Sequence, residues 1–212
     1  MIQGFLFISA CKKKTYKGEI WMHNIYDCVD AFSRLLDKKY KIVVGRKGVA
    51  RTLYINFAKS DCFHLMGLQY LKDREELNKD RAKIFDEIKD RKIDAGHIEM
   101  SSFYGKIQDR IDMLPMLEML FDSNDTIFKY NSYQNSFSMI QADYLMKNTI
   151  EMKNIFIFLS QQGDNEYFCR SFFAQDKVDY SANQPKWTLL YKEKIDKSSG
   201  NKEILYDRLK NL

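Results

Sequence analysis

Asn154-Ile-Phe-Ile-Phe-Leu-Ser-Gln-Gln-Gly-Asp-Asn-Glu-Tyr-Phe-Cys-Arg-Ser-Phe-Phe173 decides how this chain is read. Two runs rich in β-branched and aromatic residues, Asn154 to Leu159 and Tyr167 to Phe173, flank Gln161-Gln-Gly-Asp-Asn165, whose Gly, Asp and Asn suit a hairpin connection. Similar short runs lie at Thr126 to Tyr130, Asp143 to Lys147 and Lys186 to Lys192, separated by turn-forming residues. The pattern predicts an antiparallel meander from about residue 125 onward.

Upstream the texture is mainly helical. Met1 to Cys11 reads as a buried first strand: no basic residue precedes its apolar run, and the run is too short to span a bilayer. Ile25, Val29, Phe32 and Leu36 form one apolar stripe and predict a helix over Ile20 to Leu36. Lys41 to Val44 and Thr52 to Phe57 read as strands around the basic turn Gly45 to Arg51. A short helix is expected over Asp61 to Leu71, with Ser60 as its N-cap and Gly67 inside it at a cost of about 1 kcal/mol. A charged helix follows over Glu75 to Lys92, then a longer one over Ser102 to Asp122 that Pro115 should kink or split. Ile204 to Leu212 reads as a helical turn or two, or a frayed tail. Helices first and strands afterwards predict an α+β fold, with N-terminal and central helices packed on one face of a C-terminal antiparallel sheet.

Composition sets the bounds. At 212 residues with 45% hydrophobic and 14% aromatic content, the chain can build a packed core. Cys11, Cys28, Cys62 and Cys169 are scattered without metal-ligand spacing, which points to reduced thiols, a cytoplasmic setting and no zinc. The net charge of +5 is uneven: +8 over residues 1–60, −5 over 61–144 and +2 over 145–212. The two basic thirds can share a face around a polyanion, or they are ordinary solvated surface.

Chemistry has few places to sit. Gly45-Arg-Lys-Gly48 is too short for a phosphate-cradling Walker loop, and no hydrolase or zinc-protease motif occurs. His64, in Asp61-Cys-Phe-His-Leu-Met-Gly-Leu68, is either a packed core residue or a proton-transfer group. Arg170 sits among aromatics; strand alternation puts Phe168 and Phe172 on its own face and, if buried, gives it a partner such as Asp143. Lys186 and Thr188 share the strand face opposite Trp187. His64, Arg170, Lys186 and Thr188 together match metal-free RNA cleavage: an imidazole moves the proton, while cations and a hydroxyl stabilise the transition-state charge. Arg46, Lys47, Arg51, Tyr180, Asn183, Gln184 and Trp187 are the matching candidates for substrate binding.

Phe63-His-Leu-Met-Gly-Leu68, Tyr167-Phe-Cys-Arg-Ser-Phe-Phe173 and Asn183-Gln-Pro-Lys-Trp-Thr-Leu-Leu-Tyr-Lys192 resemble the phage-associated nucleases of the Barnase/EndoU/colicin/RelE-like group, in its fourth phage subgroup. The resemblance runs from about Tyr40 to Arg208 and makes 40–208 a nuclease-like domain, with 1–39 a strand-helix extension of the same single domain. It implies an antiparallel sheet of four or five strands whose open face cleaves RNA, tRNA included, without a metal or other cofactor. It also implies a phage or mobile-element toxin or effector, with an antitoxin or a host or phage protein as a further partner and no role for a membrane. Two other functions fit the same residues. One is a non-catalytic module that binds RNA or inhibits a protein; the other is a transferase that uses NAD.

Overall fold

The computed structural model describes residues 12–15, 18–123, 126–134, 138–150 and 152–211. The expected opening strand over residues 1–11 lies outside them. Strands β1 (Lys12–Thr15) and β2 (Gly18–Trp21) form a separate antiparallel pair. Helix α1 (Ile25–Leu36) starts later than the apolar spacing suggests, because Asn24 and Asp27 cap each other's amides there. Strands β3 (Lys38–Arg46) and β4 (Val49–Asn56) follow as a hairpin, joined at Lys47 and Gly48, both at positive φ.

The helical middle is more broken than its periodicity implies. Helix α2 (Lys59–Met66) ends at Gly67, whose φ of 81° is left-handed, so this glycine terminates the helix instead of lying within it. The charged segment is a 3₁₀ turn at Glu75–Leu77 followed by α3 (Arg81–Lys89), which Asp80 caps through the Lys83 amide. Helix α4 (Ala95–Glu99) comes next. The expected long helix is split around Pro115 into α5 (Gln108–Met113), a 3₁₀ turn and α6 (Leu117–Asp122). Among the described residues, no helix is long and apolar enough to cross a membrane.

The remaining strands are β5 (Thr126–Lys129), β6 (Tyr144–Ile150), β7 (Lys153–Gly163), β8 (Glu166–Ala174), β9 (Lys186–Asp196) and β10 (Lys202–Asp207). The last replaces the expected C-terminal helical turns. These strands overturn the α+β layout of helices on one face of an open antiparallel sheet. Five of them close with β3 and β4 into a seven-stranded barrel in the order β9-β3-β4-β8-β7-β6-β5, because β5 pairs back onto β9 through Ile127 with Trp187 and Phe128 with Lys186. One edge of β9 is shared: its first residues hold β5, and from Tyr191 onward it holds β10. The β4–β8 seam is parallel, so the ring is not purely antiparallel. Closure removes the exposed strand edges that an open sheet would leave. Alternation within a strand reveals its two faces but not what its edges meet, so this closure is invisible in the hydrophobic pattern.

The barrel's inner face and the helices share one core. Ile42, Val44, Leu53, Met146, Ile157, Leu159 and Phe172 belong to it together with Val29, Phe32, Leu65 and Phe85. Lys192, fully buried on β9, donates from Nζ to the carbonyls of Phe121 (2.9 Å) and Ser123, satisfying the open C-terminal end of α6. A second, outer cluster of Tyr130, Leu145, Phe156 and Phe158 is covered by Ile140, Phe173 and Tyr180. Buried residues on both faces explain the unbroken apolar run of β7.

Candidate active site

Helix α2 is short, and its cap decides which way it faces. The position predicted for Ser60 is taken by Ala58, whose amide donates to Asp61 Oδ2 at 2.8 Å. Cys62, Leu65 and Met66 point into the core. Asp61 and His64, one turn apart, fall on the opposite face and are half-buried at the wall of a cleft of about 540 Å³. His64 is therefore not a core histidine.

Strand β8 brings Arg170 to the same cleft, by a route that simple alternation misses. Cys169 pairs with Leu159, and Ser171 pairs with the preceding Phe158, which leaves Arg170 as the extra residue of a β-bulge. Cys169 and Phe172 face the core, while Arg170 is exposed and aimed out of the pleat. Phe168 lines the same cleft as Arg170, as alternation expects, but Phe172 turns into the core. The expected pairing with Asp143 does not occur; that carboxylate instead accepts from Lys129 Nζ at 3.3 Å and from the Gln161 amide at 2.9 Å.

Two further arginines complete the cleft. Arg110 on α5 lies beside the rings of Tyr70 (5.8 Å) and Phe173 (5.7 Å), and Arg81 at the start of α3 lies over Phe63 at 5.8 Å. Gly67 makes room for the first of these: a Cβ there would sit 2.9 Å from Ile107 Cγ2 and 3.0 Å from Arg110 Cδ. Among the described residues, none of the side chains of Arg81, Arg110 and Arg170 has a hydrogen-bond acceptor or an ion-pair partner.

The surroundings move the titratable groups in opposite directions. Burial, reinforced by the charges of Arg81 and Arg170, pushes the His64 imidazole below its ordinary value of 6.5, with only the Gln69 amide acting the other way. The ring is therefore neutral at pH 7. Gln69 Oε1 is buried beside the imidazole and meets no other donor among the described residues. Burial raises the Asp61 carboxyl against the lowering effect of the Ala58 amide. A lowered base and a raised acid on one helix face are the arrangement that acid–base chemistry needs.

The other predicted residues lie elsewhere. Between β8 and β9 the ring has two strands one way and three the other, at about 4.8 Å per strand, so they form opposite walls. Lys186 is exposed where β9 meets Phe128, and Thr188 lines a shallow depression with Leu190 and Arg208. Neither lines the His64 cleft. Gln184 is buried and exchanges hydrogen bonds with the Asn131 backbone at 2.8 and 2.9 Å, and Tyr180 packs edge-on against Phe156 and Phe158. Asn183 is an exposed loop residue at a φ of 59°. Arg46, Lys47, Arg51 and Trp187 do come together, at one open end of the barrel.

Asp61, Arg81 and Arg110 escape sequence reasoning. Asp61 suits the first turn of a helix by complementing its dipole, and neither arginine belongs to a motif. Gly67 is the one signal of a close approach.

Comparison with known proteins adds a family. The sequence model of the phage-Barnase-EndoU-ColicinE5/D-RelE like nuclease4 family matches residues 24–209, which takes in α1 as well as the barrel. No curated protein and no solved structure matches.

Proposed function

The chain belongs to this family of phage-associated nucleases, and from that premise we propose that it is an endoribonuclease whose chemistry takes place in the His64 cleft. The observation that carries the reading is a cleft lined by one half-buried imidazole and three unpaired guanidiniums, two of which, Arg81 and Arg170, act on the imidazole. An RNA strand brings its own nucleophile, so a single imidazole suffices to start the reaction. His64 accepts the 2′-hydroxyl proton. The 2′-oxygen then bonds to phosphorus as the bond to the 5′-oxygen breaks. Asp61, with its raised carboxyl, gives a proton to that leaving oxygen. Arg81, Arg110 and Arg170 take up the extra negative charge of the phosphorane-like transition state, a role suited to the fixed fork of guanidinium donors. The products are a 2′,3′-cyclic phosphate and a 5′-hydroxyl. All the charge this step needs is supplied by the protein's own side chains.

The test is to incubate the purified protein with end-labelled total RNA and tRNA in the presence of EDTA. Cleavage to cyclic-phosphate ends is expected, reduced by about 100-fold or more in His64→Ala with an unchanged melting curve. Full activity of that variant would sink the mechanism. Saturable RNA binding without any cleavage would leave a binding module in its place.

A further inference from the structure

Along most of the barrel the inward-facing positions are apolar: Val44, Leu53, Ile127, Met146 and Leu159 are fully buried. At one end this changes within a single layer. Arg51 stands across from Val44, Lys129 across from Tyr144, Gln161 across from Tyr167, and Trp187 across from Ile127. Cross-strand partners share a face, so Arg51, Lys129, Tyr144, Gln161, Tyr167 and Trp187, one from each of six strands, line the mouth. They enclose an open cavity of about 530 Å³, within the range of small-ligand sites.

Two features of this mouth ask for a ligand. The first is aromatic. Tyr144 meets Tyr167 at 5.6 Å and Trp187 at 6.4 Å over the end of the barrel. Tyr144 and Tyr167 are only 4% and 6% exposed, yet neither hydroxyl has a hydrogen-bond partner among the described residues, and both residues line the cavity. Burial raises both phenols, Tyr167 to about 12, so they stay protonated and able to donate. The second is charge. Arg46, Lys47 and Arg51 have no acidic partner among the described residues, and in this hollow only Lys129 has one, Asp143. Unpaired cations crowded on one rim repel each other until an anion arrives.

A flat ring and an anion in one molecule describe a nucleotide. We propose that the barrel mouth is a nucleotide-binding site, separate from the His64 cleft, with the base on Trp187 and its edge on the Tyr144 and Tyr167 hydroxyls. The phosphate lies against Arg51 and the rim cations Arg46 and Lys47. The occupant is either a free mononucleotide or an unpaired nucleotide of a nucleic-acid strand; the recognition chemistry is the same. This goes beyond the cleavage reading and stands without it.

Isothermal titration calorimetry tests it, using AMP and a short single-stranded 2′-O-methyl RNA that cannot be cleaved. Saturable binding of at least one of the two is expected, weakened about tenfold or more in Arg51→Gln at an unchanged melting temperature. Trp187→Phe should keep part of the affinity and Trp187→Leu less, which separates stacking from mere packing. The loss in Arg51→Gln should be the same in a His64→Ala background, so this site can fail or survive independently of the catalytic one. Tighter binding of the oligonucleotide than of AMP identifies a strand as the occupant; equal or tighter binding of AMP identifies the free nucleotide. Absence of saturable heat with both ligands up to about 1 mM, or affinity untouched by Arg51→Gln, would overturn the proposal.

Discussion

The His64 cleft and the barrel mouth are both basic hollows of similar size, but they are built from different parts. The cleft lies where helices α2, α3 and α5 meet a bulge in β8, and its walls carry a lowered imidazole and a raised carboxyl. The mouth is built of strands and of the turns that join them. Its groups are fixed cations and phenols held well above neutrality. In the mouth burial raises the Tyr144 and Tyr167 phenols; in the cleft it lowers the His64 imidazole and raises the Asp61 carboxyl. Proton transfer needs a group poised between two states, whereas holding a base and a phosphate needs flat faces and constant charge. The mouth is an end of the barrel and the cleft lies on its outside, and β8 reaches both, through Tyr167 and Arg170.

That contrast can be broken at several points. The largest effect is expected at the cleft's transition-state cations. Arg170→Ala should lower kcat by about 100-fold with little change in KM, as loss of a charge-stabilising donor does. Arg51→Gln should do the reverse, raising KM several-fold at nearly constant kcat and lowering the salt slope of binding by about one. If Arg51→Gln instead abolishes kcat and Arg170→Ala spares it, the mouth is the chemical centre and the roles exchange.

The pH profile sharpens the comparison. His64 acts without its proton and Asp61 acts with one. Because His64 is pushed below 6.5, its rising limb lies on the acidic side of neutrality; because Asp61 is pushed above 3.8, its falling limb moves up toward that region. The rate of cleavage should therefore peak in mildly acidic solution and decline toward neutral pH. Asp61→Asn should lower the peak and remove the falling limb. Affinity of the mouth for the 2′-O-methyl oligonucleotide, whose phosphodiesters stay ionised, should stay flat over the same range.

The smallest effect is structural. Gly67→Ala places a side chain at φ +81° and against Ile107 and Arg110. It should cost about 1–2 kcal/mol of stability, read as a lowered denaturant midpoint, and should displace Arg110, so cleavage falls while nucleotide binding persists.

Much of this was legible in the sequence, and the failures have physical causes. The aromatic and β-branched runs located β3 to β9 because a strand needs side chains that suit a pleated, half-buried surface. Closure was not legible, because the pairing of Ile127 with Trp187 depends on the curvature of the strands between them. His64 stood out as a polar exception in an apolar segment, and Arg170 as an arginine among aromatics. Joining them to Lys186 and Thr188 failed, since a barrel sends β8 and β9 to opposite walls where an open sheet would have presented one face. The bulge at Arg170 has no sequence signature here, and it sends Phe172 to the core, away from the face that alternation shares between Phe172 and Arg170. Arg110 was hidden because it lies between Ile107 and Ile111 in a helix read for its apolar stripe.

The shared edge of β9 has a consequence for how a cell makes this protein. Strands β3 and β4 emerge early in translation, yet β3 finds its second neighbour only when Lys186–Asp196 has been made. The cleft likewise waits for Arg170, and the mouth for Trp187. A ribosome must finish most of the chain before either hollow exists. Long-range strand pairing is slow to form and cannot be anticipated by the N-terminal half alone. Fragments released by stalled or truncated synthesis would therefore carry the basic β3–β4 hairpin and His64 without a working nuclease. Late assembly thus ties the onset of activity to completion of synthesis.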